Sequence, residues 1–560
     1  MVSEMQSTAR RRIAESLRAF REVFANPNLR RLELASAGSI VGAWAYIVAL
    51  AVFAYDAGGA AAVGLVGFIR LLPSAVATPF AALLADRMRR ERVMVASDLS
   101  RCAALSLAAV FVFVNVAPAV YVLAGVAALA ATPFDPAERA LLPSLAIRPE
   151  ELTAANAVAS TVGSAGIFAG PALGGALLAV TSSGVVFVVT AATLLWSAFL
   201  VARITAPPGP RPNDEEDRRG IVPAALAGFR AIGADGRLRL LVGFYGVATL
   251  VAGILDVLVV PTALDLLDLG ESGVGYFFAA IGIGGVLGGA VTLILVTRQR
   301  LAADFALGMV LFGLPIALLG VFSLRPLAFG LLVVLGVANT IVGVACTTLL
   351  QRTVPNALLA RVFGVLGTLV TATVALGSIV APGLISALGV RGALIVTGAA
   401  PAAVAVLLWR PLTRLDAGAA VPERELELLA AVPMLHVLPP KTLEALAATS
   451  KRVDFAEGVD IFRAGDPGER FYVVDEGEVV VETRGGGEKT LGAGEFFGEI
   501  ALLRDVPRTA TVTAATDTRL LTLERDPFVG AVTGHAPSAA AADAMIAARL
   551  ADLRPSLGSL

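Results

Sequence analysis

Residues 497–512 read FGEIALLRDVPRTATV, and this stretch is the most specific signal in the chain. A Gly-Glu pair, Gly498 and Glu499, opens a short apolar turn, and Arg508 follows within the same stretch. Backbone N–H groups at the start of a short helix can hold a phosphate. An arginine fork pairs with phosphate oxygens, and a carboxylate accepts a hydrogen bond from a hydroxyl. The pattern therefore predicts a site for a small anionic ligand that carries a sugar.

The residues around this stretch have the pattern of a small β-sheet domain. Runs such as ERFYVVDEG and EVVVETRGGG alternate apolar and polar residues and are separated by glycines. Such alternation predicts a small β-barrel or jelly roll. Short amphipathic helices over 423–452 and an alanine-rich helical tail from about Pro527 to Leu553 are predicted to flank it.

Residues 425–553 resemble the cyclic nucleotide-binding domain of protein-kinase regulatory subunits, bacterial transcription regulators and gated channels. The resemblance rests on Gly465-Asp466-x-Gly468-Glu469-x-Phe471-Tyr472, on Gly477 and on the ungapped stretch 497–512. It implies that Arg508 pairs with the cyclic phosphate and Glu499 with the ribose 2′-hydroxyl. The same resemblance implies that the rest of the pocket is formed by Gly498, Ile500, Ala501, Thr509 and Ala510.

The resemblance leaves two questions open. Family members with threonine after the arginine, as at Thr509, often accept cyclic GMP as well as cyclic AMP. Either nucleotide is therefore the expected regulatory ligand. The alternative is a domain that keeps the fold and binds nothing, but such copies usually lose the arginine or the glutamate. This chain retains both Arg508 and Glu499.

The chain before about Arg410 is dominated by long apolar runs. Of the 560 residues, 57% are hydrophobic and 16% are charged, whereas soluble domains carry about 25% charged residues. A window of about 20 apolar residues can cross a bilayer. Twelve such windows are predicted, at 34–55, 61–84, 92–115, 118–134, 152–180, 183–204, 238–262, 273–296, 303–323, 326–350, 361–388 and 391–409. The predicted fold is an α-helical polytopic membrane protein with twelve transmembrane helices, followed by the β-domain.

Basic residues predict how the spans are oriented. They cluster in every second loop, for example after the second, sixth and eighth windows, whereas the opposite loops contain only Arg325 and Arg391. Because cytoplasmic loops carry the excess of lysine and arginine, both termini are predicted to be cytoplasmic in a multi-pass plasma-membrane protein. The β-domain would then lie in the cytoplasm.

A charged loop at 205–237 divides the predicted spans into two groups of six. The pattern Gly166-x-x-x-Gly170-Pro171 recurs after this loop as Gly377-x-x-x-Ala381-Pro382. Two six-helix halves are expected of a secondary transporter; a channel is the competing interpretation, but the sequence shows no filter-like loop. The predicted domains are a cytoplasmic segment 1–30, a first half 31–205, a linker 206–237, a second half 238–412 and a cyclic nucleotide-binding domain 421–553.

Residues 20–410 resemble the major facilitator superfamily. The segment ALLADRMRR, residues 82–90, resembles the loop between its second and third spans, with Asp86, Arg87 and Arg90 retained. The motif at Gly166, Gly170 and Pro171 resembles the fifth-helix motif of the superfamily's antiporters, and residues 133–157 resemble the siderophore- and drug-exporter branch. The resemblance implies that these six residues control gating, because charge-assisted bonds at cytoplasmic helix ends must break as the halves move. The alternative is that the glycines only pack helices.

Four ionisable residues within the spans are further candidates: Arg70, Asp98, Arg101 and Asp256. A charge near the bilayer centre costs roughly 2.5–3.5 kcal/mol, so such residues are expected to be functional or paired inside the bundle. Arg70 and Asp256 lie deepest and are candidates for substrate or proton handling. Asp98 and Arg101 are candidates for a gate ion pair. The exporter branch often has an acid beside the first-span tryptophan, where this chain has alanine, so the sequence supplies no proton carrier there.

Together these patterns predict an exporter of a small amphipathic compound, regulated by cyclic AMP or cyclic GMP in the cytoplasm. A membrane-tethered sensor without transport and an exporter of the nucleotide itself are the alternatives. An enzyme is not expected because no nucleophile–base or metal constellation appears, and no cofactor is predicted. The expected partners are the lipid bilayer, a small-molecule substrate and the nucleotide. Nucleic acid is not expected, since no DNA-binding helix pair follows the barrel. The substrate, coupling ion and oligomeric state stay open.

Overall fold

The computed structural model describes residues 23–147, 149–205, 221–295, 301–354, 356–409, 411, 423–483 and 487–552. The chain forms two compact units, Met1–Asp416 and Ala417–Leu560, called here the first and second units. Most of the predicted segment 1–30 and the beginning of the predicted linker 206–237 lie outside the described residues. The described part of that linker contains a helix, Ile221–Ala234.

The first unit consists of apolar helices. In chain order they are α1 (Pro27–Arg87), α2 (Arg90–Phe113), α3 (Ala117–Ala131), α4 (Phe134–Leu145), α5 (Pro149–Leu178), α6 (Ser183–Ala202), α7 (Ile221–Ala234), α8 (Gly236–Pro261), a π-helical turn (Thr262–Leu266), α9 (Gly270–Leu295), α10 (Leu301–Val321), α11 (Arg325–Thr353) and α12 (Asn356–Leu407). Within the described ranges, nine helices are long and apolar enough to cross a membrane. A helix satisfies its own backbone hydrogen bonds, which is required in a membrane because lipid tails offer no hydrogen-bond partners.

Helices α1 and α12 exceed the length of one bilayer crossing. Their apolar parts contain 52 and 47 residues, which at about 1.5 Å per residue reach roughly 70–80 Å, against a hydrocarbon core of about 30 Å. Each helix is interrupted once by non-helical glycine backbone, at Gly58–Gly59 in α1 and at Gly389 in α12. Gly59 and Gly389 have φ values of 62° and 68°, a region that favours glycine because it has no Cβ.

The second unit contains two antiparallel four-stranded sheets with helices around them. The strands are β1 (Lys451–Phe455), β2 (Asp460–Phe462), β3 (Arg470–Glu476), β4 (Val479–Thr483), β5 (Glu488–Leu491), β6 (Phe496–Phe497), β7 (Ala510–Ala514) and β8 (Thr518–Glu524). The sheet orders are β1-β8-β3-β6 and β2-β7-β4-β5. The predicted C-terminal β-sheet domain is thus confirmed.

Helices precede, interrupt and follow these strands. They are α13 (Glu423–Ala431), α14 (Pro433–His436), α15 (Pro440–Thr449), α16 (Glu499–Leu503), α17 (Arg525–Thr533) and α18 (Ala536–Asp552). The helical tail predicted from about Pro527 is therefore two helices, which are separated near Gly534.

Strand β3 explains how the second unit is built, because both of its faces are buried. Successive strand residues point to opposite faces. Phe471 and Val473 pack into a cluster with helix residues such as Phe528, whereas Tyr472 and Val474 pack into a second cluster with Val512 of the other sheet. One sheet is therefore covered by helices on one face and by the second sheet on the other.

Candidate functional site

The second unit contains a pocket formed by β4, β5, β7, the short helix α16 and the end of α18. The structure brings all seven residues predicted for the binding site to its wall: Gly498, Glu499, Ile500, Ala501, Arg508, Thr509 and Ala510. The other lining residues are Phe462, Val481, Thr483, Lys489, Leu491, Phe497, Val512 and Arg549. The pocket therefore combines an apolar wall with charged groups contributed by α16, β5, the segment before β7 and α18.

Gly498 controls the turn from β6 into α16. Its φ of 89° lies in the left-handed region, where a side chain is strained. A Cβ at this position would also lie 2.7 Å from Nη1 of Arg508 and 3.2 Å from the carbonyl oxygen of Arg470. Glycine is thus required both by the backbone conformation and by the close approach of the Arg508 guanidinium.

Arg508 is buried, with 4% of the residue exposed, and protein partners hold its side chain in place. Nη1 donates to the carbonyl oxygen of Gly498 at 2.9 Å, and Nη2 donates to that of Arg470 at 2.7 Å. Cζ lies 4.1 Å from the centroid of the Phe462 ring, a cation–π distance.

One nitrogen of the Arg508 guanidinium, Nε, is buried and has no hydrogen-bond partner among the described residues. Burial lowers the pKa of this guanidinium, and the coulombic effects of Tyr472 and Glu499 oppose that shift. A buried cation with an unused N–H is stabilised by an anion that accepts from it.

Glu499 is the second buried charge of the pocket, at 1% exposure. Its Oε1 accepts from Nη1 of Arg549 at 2.8 Å, whereas its Oε2 is buried without a partner in the described part of the chain. Burial raises the pKa of the Glu499 carboxyl, and the nearby Arg549 opposes this shift. The unused oxygen can accept a hydrogen bond from a hydroxyl group of a ligand.

In the first unit, three of the four predicted intramembrane charges line two cavities. Arg70 of α1 and Asp256 of α8 line one cavity together with Trp44, Phe278 and Ser378. Arg101 lines a second cavity, together with Trp44. Arg101 pairs with the buried Asp98 at 3.1 Å and donates to Oγ of Ser39 at 2.9 Å. Arg70 and Asp256 thus line the same cavity, whereas Asp98 and Arg101 form an ion pair whose arginine lines the other cavity.

The predicted gating residues differ in how much the structure describes. The side chains of Asp86 and Arg87 lie outside the described residues. Arg90 donates from Nη1 to the carbonyl oxygen of Ala140 in α4 at 2.8 Å. This bond ties the beginning of α2 to the helix that follows α3.

The glycine motif of α5 packs against two helices. A Cβ on Gly166 would contact Ile40 of α1, and one on Gly170 would lie 2.5 Å from Cβ of Trp44. On the other side, a Cβ on Gly275 of α9 would lie 2.6 Å from the carbonyl oxygen of Pro171. Small residues at these positions allow the three helices to approach closely.

Comparison with known families identifies the first unit. Residues 32–372 match the family model described as Major Facilitator Superfamily, which covers more than half of the 560 residues. The chain belongs to the Major Facilitator Superfamily. This membership makes it a helical, polytopic membrane protein, in agreement with its apolar helices.

The second unit of this superfamily member matches another family. Residues 452–534 match the model described as Cyclic nucleotide-binding domain. A cAMP-dependent protein kinase regulatory subunit from Dictyostelium discoideum is 46% identical over 92 residues, 15% of this chain and 28% of that protein. A cyclic nucleotide-gated potassium channel from Mesorhizobium japonicum is 42% identical over 105 residues, 19% of this chain and 29% of that protein.

A solved structure also matches part of the chain. It is the crystal structure of the Thermus thermophilus catabolite activator protein, with 34% sequence identity, 22% of this chain and 59% of that chain covered, and a TM-score of 0.20. The two curated relatives are each matched over less than a third of their own length.

Sequence reasoning missed Arg549, although this residue contacts the predicted glutamate. Its Nη2 donates to the carbonyl oxygen of Phe496 at 3.0 Å, and its Cζ lies 4.5 Å from the Phe496 ring centroid. The contact with Glu499 joins residues 50 positions apart, so no local pattern shows it. The available signal was a single arginine in the last turn of an alanine-rich helix.

Proposed function

We propose that this superfamily member is a secondary active exporter of a small amphipathic compound, controlled by cyclic AMP or cyclic GMP bound in its second unit. The observation that carries the proposal is the pair of unused polar atoms in the pocket, Nε of Arg508 and Oε2 of Glu499. A cyclic nucleotide offers a phosphate to the first and a 2′-hydroxyl to the second. The Dictyostelium discoideum and Mesorhizobium japonicum relatives, described as cAMP-dependent and cyclic nucleotide-gated, support this ligand class.

The proposed architecture has twelve spans in two six-helix halves. Counting the long helices α1 and α12 as two crossings each, and adding the shorter apolar helix Phe305–Val321 to the candidate spans, gives this number. The breaks at Gly58–Gly59 and at Gly389 support two crossings in each long helix. The proposed domains are those expected from the sequence, with both termini in the cytoplasm and the spans in the plasma membrane.

The cavity between Arg70 and Asp256 is proposed as the substrate site. Its wall is largely apolar, with Trp44 and Phe278 among the lining residues and one charge of each sign. An amphipathic compound can bury apolar surface there and pair its polar group with either charge. Asp86, Arg87 and Arg90 are proposed to hold the cytoplasmic helix ends, and Gly166, Gly170 and Pro171 to allow movement of α5.

Nucleotide binding is proposed to act through differential affinity. A ligand shifts a conformational equilibrium only as far as it binds one state better than the other. Glu499 is held from α18 by Arg549, so a nucleotide that engages Oε2 of Glu499 also acts on the C-terminal helix. We propose that α18 is the element that changes when a nucleotide binds in the pocket.

Arg549→Ala is expected to weaken cyclic AMP binding by roughly 2- to 10-fold, because a hydrogen bond contributes about 0.5–1.5 kcal/mol net. Arg549 acts through the orientation of Glu499, so the loss should shrink when 2′-deoxy cyclic AMP is the ligand. Calorimetric titration of the full-length protein measures both affinities. Arg519→Ala, which removes an exposed arginine paired with Asp454, should change neither. Equal losses with both nucleotides would show that Arg549 does not act through the ribose hydroxyl.

The alternative functions are separated by a transport assay with labelled cyclic AMP. In inverted membrane vesicles, the proposed exporter should take up no more nucleotide than vesicles without the protein, while calorimetry shows binding. An exporter of the nucleotide itself would accumulate it, and accumulation would persist in Arg508→Ala. A sensor without transport would bind the nucleotide but move no compound from a panel of amphipathic dyes.

A further inference from the structure

The cavity lined by Arg70 of α1 and Asp256 of α8 has two opposite charges on its wall that do not pair with each other. Neither the guanidinium of Arg70 nor the carboxylate of Asp256 has a hydrogen-bond or ion-pair partner among the described residues. Asp98 and Arg101 provide the contrast, since their charged atoms lie 3.1 Å apart. Both charges of the cavity are therefore available to a ligand.

Asp256 reaches this cavity from an otherwise buried stretch of α8. Among residues 253–261, all of which the structure describes, only Asp256 is exposed. Its position on the cavity wall accounts for this exposure. A carboxylate is far less costly in a water-accessible cavity than in an apolar interior. The cavity is thus the place where α8 can carry a charge.

Two glycines fix the positions of these charges against a common helix, α12. A Cβ on Gly67 would lie 2.9 Å from Oγ of Ser378, and one on Gly253 would lie 2.1 Å from the carbonyl oxygen of Val374. Val374 and Ser378 are about one turn apart on α12, and both line the cavity. Each charged residue follows one of these glycines by nearly one helical turn. The two charges therefore belong to helices that pack on neighbouring turns of α12.

The rest of the wall is mostly apolar and includes the large side chains of Trp44, Leu50 and Phe278. The cavity volume of about 780 Å³ is within the range of roughly 300–1,000 Å³ for small-molecule sites. A ligand that fills this space removes water from both charges. A ligand with a single charge pairs with one of them and leaves the other buried without a partner, which is costly. A ligand with an acidic and a basic group pairs with both.

We propose that the transported compound is a zwitterion, an inference that rests on the proposed transport function and narrows its substrate class. The acidic group binds Arg70, whose guanidinium fork suits a carboxylate. A basic amine binds Asp256, and an apolar body packs against Trp44 and Phe278. Because α1 and α8 belong to different halves of the proposed architecture, the bound compound joins the two halves.

Four dansyl compounds test the charge requirement by direct binding, without a transport assay. Nα-dansyl-lysine and Nε-dansyl-lysine are zwitterions that differ in the separation of their charges. Dansylcadaverine lacks the carboxylate of Nε-dansyl-lysine, and dansylaminohexanoate lacks its amine. The full-length protein in detergent is titrated with each compound, and the change in dansyl fluorescence gives Kd. The better of the two zwitterions is expected to bind at least about tenfold more tightly than either singly charged compound, because a charge-assisted hydrogen bond contributes about that factor.

Arg70→Gln and Asp256→Asn are expected to remove this preference in opposite ways. Arg70→Gln should lower the affinity for the zwitterion to that for dansylcadaverine, whose own affinity stays within a few-fold of the wild type. Asp256→Asn should lower it to that for dansylaminohexanoate, which in turn is unaffected. A general loss of packing would weaken all four compounds in both variants. Each variant tests one charge by itself, so the proposal stays falsifiable if the other variant does not fold.

Arg391→Gln and Asp268→Asn are the matched controls. Arg391 is exposed and lines a different cavity, and the side chain of Asp268 is 94% exposed. Asparagine also tolerates the φ of 48° at Asp268. Neither substitution should alter the order of the four affinities. Thermal unfolding of each variant confirms that it is folded.

Equal affinities for the zwitterions and for either singly charged compound would overturn the proposal, and so would the absence of binding at millimolar concentrations. Those results would leave the proposed export function intact, because transport of the amphipathic dyes and nucleotide binding are measured independently. Conversely, zwitterion binding with the predicted pattern in the variants, in a protein that moves neither the dyes nor the zwitterions, would contradict the transport function only.

Discussion

Replacing Arg508 with alanine is expected to weaken cyclic nucleotide binding by at least about 30-fold. Removing one partner of a buried charge pair costs about 2–5 kcal/mol, and roughly 1.4 kcal/mol corresponds to a tenfold change in affinity. The wild-type arginine is held in place before the ligand arrives, by the carbonyl oxygens of Gly498 and Arg470. Little free energy is therefore spent on orienting Arg508 when the ligand binds, and the full pairing energy is available for binding.

Calorimetric titration of cyclic AMP and cyclic GMP into the full-length protein measures this effect. Arg504→Ala is the matched control, since Arg504 follows α16 but is exposed and pairs with the exposed Asp543 at 3.1 Å. Exposed pairs contribute about 0–1 kcal/mol, and this pair lies outside the pocket lining. Affinity should therefore stay within a few-fold of the wild type. A similar loss in both variants would mean that general surface charge, and not the pocket arginine, holds the nucleotide.

Replacing Gly275 with alanine is expected to destabilise the first unit and to stop the transport cycle. A Cβ on Gly275 would lie 2.5 Å from Cα of Gly175 and 2.6 Å from the carbonyl oxygen of Pro171. Overpacking a well-filled interior costs about 1–3 kcal/mol. The obstructing atoms here are backbone, which cannot move aside as the end of a flexible side chain can. Helices α5 and α9 must therefore separate.

Gly289→Ala gives the comparison on the same helix. A Cβ at Gly289 would meet no atom within 4 Å among the described contacts, and alanine favours a helix over glycine by about 1 kcal/mol. We expect Gly275→Ala to lower the midpoint of thermal unfolding of the full-length protein, and Gly289→Ala to leave it unchanged or to raise it. Equal midpoints in the two variants would show that α5 and α9 are not packed as closely as described.

The part of the nucleotide pocket that lies within one continuous stretch could be predicted from sequence. Gly498, Glu499 and Arg508 occur within residues 497–512, so the short helix α16 and the loop after it bring them together. Arg549 could not be predicted, because its contact with Glu499 depends on how α18 folds back on the sheets. The positions of Lys489 and Thr483 on the pocket wall likewise depend on the pairing of β4 and β5.

For the membrane unit, apolar windows predict that helices exist but not which helices meet. The break between the first two predicted windows was visible in the sequence as Asp56-Ala-Gly-Gly, and the structure places non-helical backbone at Gly58–Gly59. The close contact between Gly175 and Gly275 could not be predicted from a local sequence pattern, since the two residues belong to different helices, α5 and α9. The predicted window 34–55 begins after Glu33, so the sequence did not predict that this residue is buried in the unit.

The central claim, that nucleotide in the second unit changes the state of the first, can be tested without a known substrate. Spin labels are placed at the exposed positions Val180 and Leu324, in a chain whose cysteines, Cys102 and Cys346, are replaced by alanine. The distribution of distances between the two labels is measured in liposomes by pulsed electron paramagnetic resonance. Saturating cyclic AMP or cyclic GMP is predicted to redistribute the populations, and Arg508→Ala is predicted to abolish that response at the same concentration. An unchanged distribution with both nucleotides, in a protein that binds them by calorimetry, would contradict the account.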